Sequence, residues 1–104
     1  MYLVVRSYEH TDPSYGEEGF RRVREDLLPA LSEINGFVSY YSAYDSSRGV
    51  VTSVSIYETR EAAEQANRVA VQWGSKNLAT MGTVNPTAWV GDVLVGAEAL
   101  PGKQ

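Results

Sequence analysis

The chain has 104 residues, 43% of them hydrophobic and 21% charged, with a formal net charge of -4, which fits one ordinary globular domain with one core. The acidic balance excludes a basic nucleic-acid-binding surface, and no apolar run approaches the roughly 18 residues of a membrane span. The absence of cysteine excludes disulfides and thiolate catalysis and fits a cytoplasmic setting. We predict one domain over residues 1–96 and a C-terminal tail over residues 97–104.

The first predicted strand runs from Tyr2 to Glu9, and a loop of turn-forming residues follows it with the single histidine, His10. The first helix is predicted to begin between Pro13 and Gly19 and to run to about Ile34. Its apolar residues recur at steps of three and four, as expected for one buried stripe: Phe20, Val23, Leu27, Leu31 and Ile34. Pro29 lies inside this pattern and predicts a bend or a loosened turn, because proline lacks a backbone donor.

The two middle strands, Phe37 to Asp45 and Val50 to Glu58, form a predicted hairpin. Pairing Asp45 with Val50 sorts their side chains onto two faces. The Ile56 face carries Phe37, Ser39, Tyr41, Ala43, Thr52, Val54 and Ile56. The Tyr57 face carries Val38, Tyr40, Ser42, Tyr44, Val51, Ser53, Ser55 and Tyr57. Neither face has the polar composition of a solvent-exposed sheet face, so we expect each to be buried against another element or subunit. We predict that the more hydrophobic Ile56 face packs under the helices and that the Tyr57 face meets a second subunit.

The second predicted helix runs from about Arg60 to Thr80, with Thr59 as its N-cap. Its expected buried stripe contains small residues and one large aromatic residue: Ala62, Ala66, Val69, Ala70 and Trp73. Gly74 predicts a kink or an earlier end. The last strand is predicted over Thr87 to Val95.

The order of these elements, strand, helix, strand, strand, helix, strand, predicts an α+β fold of the ferredoxin-like type. A right-handed crossover leaves a slot for the third strand between the first two in a four-stranded antiparallel sheet. Both helices then cover one side of the sheet. The other side would expose an apolar surface in a monomer, which predicts a homodimer through the sheet face.

Three stretches resemble a known family: YLVVRSYE, LLPALSEINGF and VSIYETREAAE. Gly36-Phe37 and the run Tyr57 to Ala62 carry most of the likeness, which covers Tyr2 to Val95. They resemble the dimeric α+β barrel superfamily, and within it the antibiotic biosynthesis monooxygenase-like group. The resemblance implies a homodimer whose sheets face each other, with a pocket in each subunit between sheet and helices.

The resemblance implies a cofactor-independent monooxygenase that oxidises a small flat aromatic or quinone-like metabolite with molecular oxygen, without metal or flavin. The alternative is a non-catalytic homodimer of the same fold that binds a small hydrophobic molecule or acts in regulation. Related members degrade haem, using an Asn on the first strand and a Trp and a His in the second helix. This first strand has no Asn, and Ala66 and Lys76 stand at the other two positions, which argues against haem degradation.

The catalytic candidates are Arg6, Tyr41 and His10. Arg6 is a charge on an otherwise central strand, so it either steadies a phenolate or carboxylate or forms a salt bridge with Glu58 or Glu9. Tyr41 is either a proton donor or core filler, and His10 is either a general base or an exposed loop residue.

The substrate-binding candidates are Trp73, Ser39, Asn67 and Trp89. Trp73 is either a wall that stacks on a flat ring or a core residue. Ser39 would place a hydroxyl in the pocket, and Asn67 would bind a ligand carbonyl if it faces inward. Trp89 lines either the pocket or the edge of the dimer. No histidine or cysteine cluster predicts a metal site.

Overall fold

The computed structural model of the protein describes residues 1–9, 16–77 and 84–98. The predicted order of strands and helices is confirmed. The strands are β1 Tyr2–Glu9, β2 Phe37–Asp45, β3 Val50–Tyr57 and β4 Val84–Asp92, and the second helix is α2 Arg60–Asn77. The first helix, α1, is built from three consecutive segments, Glu18–Arg22, Val23–Leu27 and Leu28–Ser32. The predicted loop with His10 lies outside the described residues.

The middle segment of α1, Val23–Leu27, is a π-helical turn between two α-helical segments. The backbone N–H of Leu28 bonds to the carbonyl of Val23, five residues back. Pro29 follows directly and cannot donate a backbone hydrogen bond. The loosened turn predicted from Pro29 is therefore present, and it takes the form of a wider turn just before the proline.

Glycine and threonine residues set the boundaries of the helices. Gly36, with φ of 101°, follows α1, and its carbonyl accepts the N–H of Glu58 at 2.8 Å. The Thr59 hydroxyl accepts the N–H of Ala62 at 3.1 Å, so the predicted N-cap of α2 is confirmed. The helix continues through Gly74 to Asn77, so Gly74 does not end it, and the remainder of the predicted span to Thr80 lies outside the described residues.

The sheet has four antiparallel strands in the order β2-β3-β1-β4. As predicted, β3 lies in the slot between β1 and β2. The last strand begins at Val84 rather than Thr87. Pro86 therefore lies inside a strand, and it is tolerated there because β4 is at the edge of the sheet.

The register of the hairpin is confirmed, with Asp45 opposite Val50. The pairing shifts between Phe37 and Ser39, so Phe37 lies opposite Tyr57 and their rings meet edge to face at 5.9 Å. This bulge moves Phe37 from the Ile56 face to the Tyr57 face. Val38, predicted on the Tyr57 face, is an exposed side chain.

The predicted covering of the two faces is wrong. The Tyr57 face packs against the helices, with Tyr57 and Val51 fully buried and Tyr40 and Tyr44 packed beside them. The Ile56 face is the open side of the sheet, where Tyr41 is 71% exposed. The predicted dimer contact through the Tyr57 face is therefore wrong, because the helices of the same chain cover that face.

The reason for this arrangement lies in the size of the residues on α2. Its buried residues are small, namely Ala62, Ala63, Ala66 and Ala70, so the sheet must supply the large side chains that fill the layer between them. Tyrosine rings do so better than serine and threonine.

The described helices include none with the length and apolar character of a membrane span.

Candidate functional site

A cavity lies between the Tyr57 face and the two helices. Its volume is about 20 Å³, which is room for about one water molecule. Aliphatic and aromatic side chains form most of its wall, and one charged residue and two serines interrupt them. The lining residues are Val4, Arg6, Tyr8, Val23, Leu27, Leu31, Tyr40, Ser53, Ser55, Tyr57, Ala66, Ala70 and Trp73.

Arg6 brings a positive charge into this wall. It is 4% exposed, and its Nη2 donates to the backbone carbonyl of Asn67 at 3.2 Å and to the Asn67 side-chain Oδ1. The predicted salt bridge to Glu58 or Glu9 is not formed, because both of those residues are exposed. Among the described residues, the guanidinium has no ion-pair partner. Within the described part of the chain, the buried cation is therefore satisfied by neutral acceptors alone.

Tyr8 lies two residues from Arg6 on the same face of β1, where the positive guanidinium acts on its hydroxyl. The hydroxyl reaches α2 at Gly74, where an added Cβ would lie 3.3 Å from it. Gly74 thus leaves the space that the Tyr8 hydroxyl occupies. Burial raises the pKa of the Tyr8 phenol, and the charge and hydrogen bond of Arg6 oppose that rise.

Tyr57 and Tyr40 complete the polar part of the wall from β3 and β2. Burial raises the pKa of both phenols, and hydroxyls of neighbouring serines oppose the rise. Ser55 lies beside Tyr57, yet the Tyr57 hydroxyl, completely buried, makes no hydrogen bond of acceptable geometry with any described residue. An unpaired buried hydroxyl is uncommon and calls for an explanation.

Trp73 closes the cavity between the helices. Its indole Nε1 donates to Asp26 Oδ2 at 2.7 Å, which ties α2 to the π-helical turn of α1. The ring also packs against both groups of core residues. The two interpretations of Trp73 are therefore compatible, since it is a wall of the cavity and a core residue at once.

Three predicted site residues meet at this cavity: Arg6 and Trp73 line it, and Asn67 holds the Arg6 guanidinium from α2. Three others do not. Ser39 and Tyr41 were assigned to the wrong face of the sheet, and Trp89 lies outside the cavity, so its alternative position at the dimer edge stays a prediction. Tyr41 and Trp89 are 71% and 57% exposed, and both lie with Ser39 on the open Ile56 face.

Sequence reasoning missed the hydroxyl groups of the site, which belong to Tyr8, Tyr40, Tyr57, Ser53 and Ser55. The available signal was the alternation of β1, which places Arg6 and Tyr8 on one face. Once Arg6 is assigned to the pocket, the pairing of β3 brings Ser53 to its side. Within the described ranges, no group of three or more His, Asp or Glu side chains is placed to hold a metal ion.

The open Ile56 face carries a continuous row of apolar and aromatic residues. Tyr41, Val54, Val5 and Trp89 stand opposite one another across the sheet, one from each strand. Beside them lies a concavity of about 700 Å³, bounded in part by Met1, Val38, Ser39, Ile56 and Val93. A contiguous exposed row of apolar and aromatic residues is typical of an interaction surface.

The raised pKa values of the buried phenols predict a loss of stability in alkali. Phenols of the unfolded chain ionise near pH 10, whereas Tyr8, Tyr40 and Tyr57 hold their protons to higher pH in the folded protein. Their contribution is complete below about pH 10 and is lost as the pH rises toward the folded values, by up to about 1.4 kcal/mol per pH unit for each phenol. Urea unfolding between about pH 8 and pH 11 measures this slope, and replacing Tyr57 by Phe should reduce it. A slope that Tyr57→Phe leaves unchanged would contradict the assignment.

No protein-family model and no curated protein sequence matches the chain. Its similarities are to solved structures, and these are similarities of shape. A dimeric ferredoxin-like protein from an uncultured marine organism has a TM-score of 0.69 at 14% identity, over 94% of this chain and 99% of its own.

Two oxygenases are also similar. The monooxygenase from the gene ActVA-Orf6 of Streptomyces coelicolor, solved in complex with nanaomycin D, has a TM-score of 0.69 at 14% identity, over 91% of this chain and 92% of its own. SnoaB, a cofactor-independent oxygenase from Streptomyces nogalater, has a TM-score of 0.66 at 13% identity, over 96% of both chains. The chain therefore has the ferredoxin-like fold of the antibiotic biosynthesis monooxygenase-like proteins, as its sequence resemblance predicted.

Proposed function

We propose that the protein is a cofactor-independent monooxygenase that oxidises a small flat aromatic or quinone-like metabolite with molecular oxygen. The reaction would occur in the cavity between the sheet and the helices. The observation that carries the proposal is the buried Arg6 guanidinium, which lies among aromatic rings with no carboxylate to neutralise it in the described wall. The similarity in shape to the two oxygenases supports the same reaction class.

The chemistry needs little from the protein beyond binding and electrostatics. A phenol that loses its proton becomes an electron-rich anion, and this anion can reduce oxygen directly. One oxygen atom then enters the product and the other leaves as water. Arg6 would stabilise the anion in a site that excludes water, and the Trp73 ring would stack on the substrate.

Substrate entry requires the cavity to widen, because about 20 Å³ is far below the roughly 300 Å³ of a small-molecule pocket. The hydrogen bond between Trp73 and Asp26 is the contact that would open. It lies on the outside of the molecule, so its loss would be compensated by water. Trp73 and the turn Val23–Leu27 would then separate and admit a ring.

We also propose that the active form is a cytoplasmic homodimer joined through the Ile56 face. The uncharged row across the middle of that face suits a second copy of the same surface. Tyr41, Ser39 and Trp89, predicted as site residues, would then act at the junction of the two subunits. The proposed role of His10 as a base remains a prediction for a residue outside those described.

Oxygen uptake tests the proposal. The protein is mixed anaerobically with anthrone-type phenols, oxygen is admitted, and uptake is followed with an electrode. We expect uptake that is enzyme-dependent and that falls at least about tenfold in Arg6→Met, since a hydrogen bond to a charged group is lost. Arg24→Met is the matched control, because Arg24 is exposed on α1. Tight binding of such a phenol without uptake would instead favour the non-catalytic binding dimer.

A further inference from the structure

We infer that the cavity is a binding site for the anionic oxygen of an otherwise apolar organic acid, held by the Arg6 guanidinium and the Tyr57 hydroxyl, which both line it. The inference rests on the proposed function only in sharing its cavity. The ligand is defined by its charge and polarity. A phenol and a carboxylic acid both qualify, whether or not the ligand reacts with oxygen.

The first support is the unbalanced charge of the wall. Arg6 is held by the backbone carbonyl and the side-chain Oδ1 of Asn67, both of which are neutral. None of the described lining residues carries a carboxylate. A buried cation is stable when paired, and no described residue supplies the negative charge that this low-dielectric site favours. We assign that role to the ligand.

The second observation concerns the Tyr57 hydroxyl and does not depend on the charge of Arg6. Tyr57 is 0% exposed, lines the same cavity, and has a hydroxyl without a hydrogen-bond partner among the described residues. Leaving such a donor unpaired lowers the stability of the folded protein. An acceptor atom that enters the cavity would satisfy it.

The rest of the wall defines the rest of the ligand. Val23, Leu27 and Leu31 from α1 and Ala66 and Ala70 from α2 offer only hydrocarbon. A multiply charged anion such as sulfate would lose its hydration there without replacement. The site therefore suits a ligand with one negative oxygen on an apolar body.

The test uses 4-nitrophenol as a probe, because its absorbance distinguishes the ionised from the neutral form. We expect saturable binding to the full-length protein, with the bound probe ionised at a lower pH than the free probe. Benzoate should compete, which extends the site to carboxylates, and competition from added phenols alone would restrict it to phenolates. Sulfate at equal ionic strength should not compete.

Three variants decide the roles of the two residues. Tyr57→Phe should weaken binding of the ionised probe about tenfold while the melting temperature stays equal or rises, since an unpaired buried hydroxyl is removed. Arg6→Met should abolish the ionisation shift, and Arg6→Lys should restore part of it. Tyr44→Phe is the matched control, because Tyr44 lies on the same face but outside the lining of the cavity.

The inference is overturned if the parent protein shows no saturable binding, or if Tyr57→Phe binds the ionised probe as tightly as the parent does. This readout is separate from oxygen chemistry. Binding with the ionisation shift but without oxygen uptake from any phenol would refute the monooxygenase and keep the anion site. Uptake without the shift would refute the anion site alone.

Discussion

Replacing Val54 by Asp is expected to convert the proposed homodimer to monomers or to insoluble protein. Val54 stands in the centre of the open Ile56 face, between Tyr41 on β2 and Val5 on β1. A carboxylate there would be buried without a partner when two sheets meet. Such burial costs several kcal/mol, so the dimer dissociation constant should rise by more than about a hundredfold. Light scattering coupled to gel filtration measures the change.

Val71→Asp is the matched control for this experiment, because Val71 is exposed on α2, away from the sheet. It introduces the same charge and should leave the oligomeric state unchanged. Tyr57→Asp provides a contrast, because a charge in the core should unfold the protein instead of dissociating it. A Val54→Asp variant that remains a dimer at low protein concentration would show that the two subunits meet elsewhere.

Leu31→Ala is expected to lower the free energy of unfolding by about 2–5 kcal/mol. Leu31 is 2% exposed and lies where α1 meets both the core and the cavity. Its truncation removes buried hydrocarbon and leaves space that the surrounding helices fill only in part. Urea unfolding measures the loss. The same truncation enlarges the cavity, so 4-nitrophenol should bind the folded variant faster than it binds the parent protein.

Leu94→Ala makes the same chemical change at an exposed position and should alter stability by no more than about 0.5 kcal/mol. A cost for Leu31→Ala as small as that of the control would mean that α1 does not pack on the sheet as described. Slower binding in Leu31→Ala would contradict the expectation that the truncation enlarges the cavity.

Local chemistry explains why the fold and the hairpin register were predictable. The Asp45 side chain accepts hydrogen bonds from the backbone N–H groups of Ser47 and Arg48. Asp at the first position of a turn commonly makes such bonds, so the residue types predict this turn. Gly36 has the positive φ that its place after a helix suggested. These signals are short in range, so one sequence is enough to locate them.

The choice of sheet face was not predictable from the hairpin alone. Alternation groups Tyr40 with Tyr57 and Val54 with Ile56, but it does not say which group meets the helices. Hydrophobicity favoured Val54 and Ile56, and that criterion failed because both faces of the hairpin carry large apolar or aromatic side chains. The size of the partner surface was the better criterion, since the alanine stripe of α2 requires large residues opposite it.

The candidate site was predictable only where it did not depend on that choice. Arg6 was identified because a charge in a central strand needs a partner wherever it points, and Trp73 was identified from helical spacing. Tyr41 and Ser39 were assigned to the wrong face, whereas Trp89, predicted at the pocket or at the dimer edge, lies on the open face. The Tyr57 hydroxyl is left unpaired by the three-dimensional packing around it, which no pattern in the sequence predicts.

The π-helical turn Val23–Leu27 has a consequence for the direction of the side chains on α1. In an unbroken α-helix, residues four apart are rotated by about 40° relative to each other, so a row at steps of four winds away from a flat target. A wider turn takes more residues to complete a circle, which offsets this winding. Val23, Leu27 and Leu31 can thus lie in one line along the cavity, although they are spaced by four throughout. The π-helical turn thus offsets the rotation between successive residues of this row, so the hydrophobic row on α1 stays straight along the cavity.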